Sequence, residues 1–110
     1  MARRRARPIP HKVKMALLSL MFHGGYMKYN AIVKTYSESQ RTLLDGTTLP
    51  SKIGRDTERD MVKRGFAITL ERAHVWRDRQ YINITQKGRE KARKLPQYDI
   101  VMAQLVSLSL

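Results

Sequence analysis

Two short runs of alternating polarity, 66–72 and 80–84, flank a polar stretch around His74 to Arg79. Phe66, Ile68 and Leu70 share one side of the first run, and Ile82 and Ile84 share one side of the second. A period of two on both sides of a polar middle predicts a β-hairpin, with these five residues facing the core. The tip carries no Gly or Asn, so its turn type stays open. It does carry the single tryptophan, Trp76, among Arg72, Arg77 and Arg79. Helix-like sequence lies before and after the hairpin, so the chain must fold as a mixed α+β domain.

Residues 11–22, HKVKMALLSLMF, place Val13, Ala16, Leu17, Leu20 and Met21 at helical spacing. Met15, Leu18 and Phe22 widen that stripe. A helix apolar over so much of its surface is either central or covered by a second chain. Gly24-Gly25 ends it. After a short extended link at Gly25 to Met27, Tyr29, Ile32, Val33 and Tyr36 predict a second helix over 28–39. Residues 40–49 read as a connection with an Asp45-Gly46 turn, pinned to the core by Leu43 and Leu44. A third helix is predicted over 50–64, capped by Thr48 or Ser51 and stopped by Gly65. Its inner face is Ile53, Thr57 and Met61. Gly54 costs propensity inside it and suggests close packing against the second helix. Thr85 caps a basic helix over 86–95, which Pro96 ends. The last helix, 98–110, holds no charge after Asp99 and needs a large partner surface.

The length of 110 residues suits one domain with a small core. Lys and Arg number 22 against 9 Asp and Glu, a formal net charge of +13. That excess points to a polyanion, either nucleic acid or an acidic membrane surface. With no cysteine, disulfide frameworks, thiolate nucleophiles and Cys-ligated zinc are excluded. No apolar run reaches membrane-spanning length. The start RRRAR…MALLSLMF imitates a signal peptide, but Pro8, Pro10, Lys12 and Lys14 interrupt it and no small-residue cleavage site follows. The three histidines are scattered, and no phosphate loop or nucleophile motif is present, so a binding protein is expected, without cofactor or metal.

Three patterns carry a resemblance: GGYMKYNAIVK, DMVKRGFAI and YINITQKGREKARKL. Together they resemble the winged helix-turn-helix superfamily over residues 11–95, in the order second helix, recognition helix with first wing strand, and post-wing helix. MarR-like, HxlR-like and PadR-like regulators share these patterns, as do small regulators of archaea and their viruses and plasmids. The resemblance implies a three-helix core plus a two-stranded wing. The expected organisation is a flexible basic arm at 1–10, the winged-helix domain at 11–95 and a C-terminal dimerisation helix at 96–110. Two departures stand out: a long link between the second and third helices, and Gly54 inside the recognition helix.

On that reading the partner is double-stranded DNA, bound by a cytoplasmic, nucleoid-associated homodimer that regulates transcription. The recognition helix would present Ser51, Lys52, Arg55, Arg59 and Lys63, with arginines suited to guanine edges. Charge pairing within the helix, such as Asp56 with Arg59 or Lys52, is the competing use of this face. The wing would present Arg72, Trp76, Arg77 and Arg79. Trp76 has three readings: stacking on nucleic acid, packing on its own domain, or burial in the partner subunit. Arg3, Arg4, Arg5 and Arg7 form either a minor-groove arm or a solubilising tail. Ile100, Val101, Met102, Leu105, Val106 and Leu108 would build the dimer, together with the first helix. Neither a membrane nor a small-molecule ligand is expected. The alternatives are an RNA-binding or ribosome-associated winged helix, and a protein–protein adaptor docking through its C-terminal helix.

Overall fold

A computed structural model describes residues 8–28, 36–71 and 80–109. In chain order the elements are α1 (His11–Phe22), β1 (Tyr26–Lys28), α2 (Glu38–Arg41), α3 (Arg55–Lys63), β2 (Ala67–Glu71), β3 (Gln80–Ile84), α4 (Gln86–Arg93) and α5 (Tyr98–Ser109). Among the described residues the fold is α+β, with five helices and one small antiparallel sheet. Among the described residues, no helix is long and apolar enough to cross a membrane.

α1 is the centre. Nine of its residues are buried, from Val13 and Met15 through Phe22. It touches α3, α4, α5, β1 and β3. Its apolar circumference is thus consumed within one chain, which removes it from the predicted dimer seam. Ser19, the polar residue on this surface, is fully buried and donates its hydroxyl to the Pro50 carbonyl at 2.7 Å.

α1 and α3 stop in the same way. The Gly25 and Gly24 amides reach back to the Leu20 and Met21 carbonyls at 2.6 and 3.2 Å. The Phe66 and Gly65 amides reach the Met61 and Val62 carbonyls at 2.8 and 3.0 Å. Both are Schellman closures with glycine at positive φ, 82° at Gly24 and 79° at Gly65. Each leads straight into a strand. Phe66 and Met61, both buried, are the paired residues that accompany such a stop.

That closure corrects the predicted face of the first hairpin strand. Phe66 belongs to the helix stop, so the strand's alternation starts one residue later. Ala67, opposite Ile84, is buried, while Ile68, opposite Asn83, is 50% exposed. A one-residue change of phase exchanges the two faces of a strand. Ile82 and Ile84 face inward as expected. The sheet gains a third strand, because β1 pairs with β3 through Met27 and Ile82, giving the order β1-β3-β2.

Two helix boundaries also move. Most of the predicted second helix lies outside the described residues. Its expected end does not continue through 39, because Ser37 is extended and opens the new short helix α2. Its hydroxyl accepts the Gln40 amide, and Gln40 answers the Ser37 amide, a reciprocal capping box. α3 begins at Arg55 rather than near Pro50, with Gly54 as its N-cap. A Cβ at Gly54 would meet nothing within 4 Å, so glycine marks the helix start and not a close packing. Between α2 and α3, Thr42 and Thr48 bridge and share a 2.9 Å hydroxyl contact, closing a loop at the predicted Asp45-Gly46 turn. Leu43 pins that loop at 3% exposure; Leu44 does not, standing 92% exposed.

Candidate nucleic-acid interface

Ile53 and Met61 anchor the α3 segment in the core, at 2% and 0% exposure. Rotation by 100° per residue then turns Arg59 directly outward, with Arg55 and Lys63 on either side. All three are exposed. They span the 9 residues of α3 from end to end, a rise of about 12 Å. Val62 lies on the same face, 42% exposed, seven residues after Arg55. Sequence reasoning missed it, although its helical position marks it; a small branched side chain beside arginines suits contact with a thymine methyl. Ser51 and Lys52 are exposed but precede the helix. They therefore flank the α3 face instead of forming its first turn.

The acidic residues of α3 fall into distinct settings. Asp60 is engaged internally, its Oδ1 accepting from Arg64 Nε at 2.7 Å. This is a different pair from those expected for Asp56. Glu58 is part-buried, and desolvation raises its carboxyl above the usual 4.5, against the lowering effect of the Arg55 and Arg59 charges. Asp56 is exposed. Asp56 and Glu58 also sit in the first turn, where negative charge complements the helix dipole. The outward face is thus cationic at Arg55, Arg59 and Lys63, with one exposed carboxylate at its edge.

The hairpin is stitched at its base. Thr85 donates its hydroxyl to the Gly65 carbonyl at 2.6 Å and accepts the Gly88 amide at 3.0 Å. Its own amide donates to the Phe66 carbonyl at 2.9 Å. A Cβ on Gly88 would strike the Phe66 carbonyl and the Ile84 side chain. The TQKG sequence is therefore fixed by contact: Thr caps α4, and Gly lets α4 settle on the helix–strand corner. Arg72, Trp76, Arg77 and Arg79 lie outside the described residues, as do Arg3, Arg4, Arg5 and Arg7 of the arm.

The cations of α4 divide by burial. Lys87, Arg93 and Lys94 are exposed. Arg89 is half-buried and turned toward α1, with Nη1 3.9 Å from the Met21 sulfur. Lys87 reaches back over the Phe66 ring, 6.0 Å from its centroid. Of the residues expected to build a dimer, Val101 is fully buried within its own chain and belongs to the core. Ile100, Met102, Leu105 and Leu108 are partly buried against that core. Val106 is 59% exposed. The outward strip of α5 is consequently narrower than its composition suggests.

Comparisons of the chain with models of protein families, with curated proteins and with solved structures find no match.

Proposed function

We propose that this chain binds double-stranded DNA as a homodimeric winged helix-turn-helix regulator, with α3 in the major groove and the β2–β3 hairpin as the wing. The observation that carries the reading is the outward face of α3. Arg55, Arg59 and Lys63 are exposed in line along it, while Met61 holds the opposite face in the core. The order α3, Schellman turn, hairpin and capped α4 supports the same reading, and so does the net charge of +13. An arginine one turn from another can read successive base edges through its planar fork. In a dimer seamed along Val106 and its neighbours, two copies of α3 would meet half-sites about one DNA turn apart.

The test is selection of bound sequences from a random duplex pool, with structured RNA as competitor. A pseudo-palindromic site is expected. Arg55→Ala or Arg59→Ala should weaken its binding by ~1–3 kcal/mol, the worth of a base contact. Unchanged affinity in both variants refutes the α3 assignment. Tighter binding to structured RNA would transfer the same cationic face to an RNA partner.

A further inference from the structure

The segment that leads into α3 is fastened from two directions. Ser19 of α1 donates its hydroxyl to the Pro50 carbonyl at 2.7 Å, and Arg41 Nη1 of α2 donates to the Leu49 carbonyl at 2.7 Å. Leu49 and Ile53 are buried. Beyond these anchors the first turns of α1 and the start of α3 enclose a hollow of about 400 Å³. Small-ligand sites run from about 300 to 1,000 Å³. Met15, Ala16, Pro50 and Ile53 line the hollow with apolar surface. His11, Lys12 and Lys52 also line it, and all three are exposed. None of its lining residues is a carboxylate. A second depression beside α3 differs in this respect, because Asp56 and Asp60 line it together with Lys63 and Arg64.

We propose that this hollow binds a short aliphatic carboxylate, its chain lying on Met15, Ala16, Pro50 and Ile53 and its charge met by Lys12 and Lys52. The proposal is independent of the duplex-binding reading above. Lysines without a neighbouring carboxylate favour an anion and reject a cation. The apolar lining favours a hydrocarbon tail, since each methylene taken from water adds to binding. No aromatic side chain lines the hollow, so nothing there stacks on a flat ring. Met15 is unbranched and adapts to an alkyl chain. The floor is already in place: Ala16 and Ile53 are 2% exposed and Met15 9%, so little has to be ordered when a ligand enters. Gly54 keeps the α3 side open, because a Cβ there would meet nothing within 4 Å. Thr57 adds a hydroxyl on the same side, so an occupant touches both α1 and α3.

The test is a titration of the isotope-labelled full chain with octanoate at fixed ionic strength, followed through its amide resonances. Saturable shifts are expected at Met15, Ala16, Ile53, Gly54 and Thr57. Acetate lacks the tail and octylammonium inverts the charge; neither should saturate those shifts. Lys12→Gln combined with Lys52→Gln should weaken octanoate about tenfold, the worth of two exposed charge contacts. Arg93→Gln combined with Lys94→Gln removes the same charge from α4 and should leave the affinity unchanged. All four side chains are exposed, so both double variants should fold, and their amide spectra report it directly. No saturable shift at those amides, equal binding of octylammonium, or equal weakening in both double variants overturns the site. Shifts centred on Val106 and the outer strip of α5 would mark adsorption to exposed apolar surface and overturn it as well. Tighter binding of benzoate than of octanoate overturns the aliphatic assignment.

Discussion

α1 and α5 are both twelve residues long and both apolar around most of their surface, yet they end in opposite situations. α1 buries nine residues and α5 buries one, Val101. Composition does not separate them. What separates them is the number of elements that fold back onto each. α3, α4, α5 and two strands close around α1, whereas α5 rests on α1 and α4 from outside. Its Gln104 amide also reaches the Gln40 carbonyl of α2 at 3.1 Å. An all-round apolar helix is therefore no evidence for a partner chain until the chain's own elements have been placed around it.

The contrast can be broken most severely in α1. Leu17 is fully buried, and Leu17→Ala should cost ~2–5 kcal/mol in urea unfolding. Leu105→Ala on half-buried α5 should cost distinctly less; equal costs would mean that α5 is as central as α1. Next comes Ser19→Ala, which leaves the Pro50 carbonyl without its hydroxyl donor. The expected cost is ~1–3 kcal/mol, and a neutral result would show that water replaces the bond.

At the C-cap of α1, burial lowers the His23 imidazole below 6.5, outweighing the hydrogen bond to the Ser19 carbonyl; the Arg41 charge lowers it further. The unfolded chain then binds the proton more readily than the folded one. Stability from this group is full above 6.5, falls as pH drops below it, and levels off below the folded value. The urea midpoint should follow that course, and His23→Gln should flatten it. The smallest folding effect belongs to Val106→Asp, within about 0.5 kcal/mol for an exposed site. Sedimentation should nevertheless show loss of the proposed dimer. A dimer surviving Val106→Asp would place its seam elsewhere.

Much of this was legible in the sequence. Both ends of α1, the extent of β3, the Thr85 cap and the Asp45-Gly46 turn follow from local pattern and capping chemistry. The misreadings share a cause. Ile53, Thr57 and Met61 imitate one helical face, although Ile53 reaches the core from a segment ahead of the helix. Phe66 and Ile68 imitate alternation, although Phe66 serves the turn that ends α3. In each case an inward residue at an element boundary satisfied the neighbouring element's period. The bond from Arg64 Nη2 to the Pro8 carbonyl was invisible for another reason: its partners lie 56 residues apart in sequence, and no local pattern announces it.

The place of α1 in the chain order bears on how the protein is made. It is the first helix to leave the ribosome among these elements, and its covering comes late. The central strand β3 begins at Gln80, and α5 closes at Ser109. Until those residues emerge, the most apolar surface of the fold waits without its lid. Such waiting surface is where nascent chains associate wrongly. Synthesis that stalls between α3 and β3 should leave an aggregation-prone fragment, because β3, α4 and α5 have yet to cover α1.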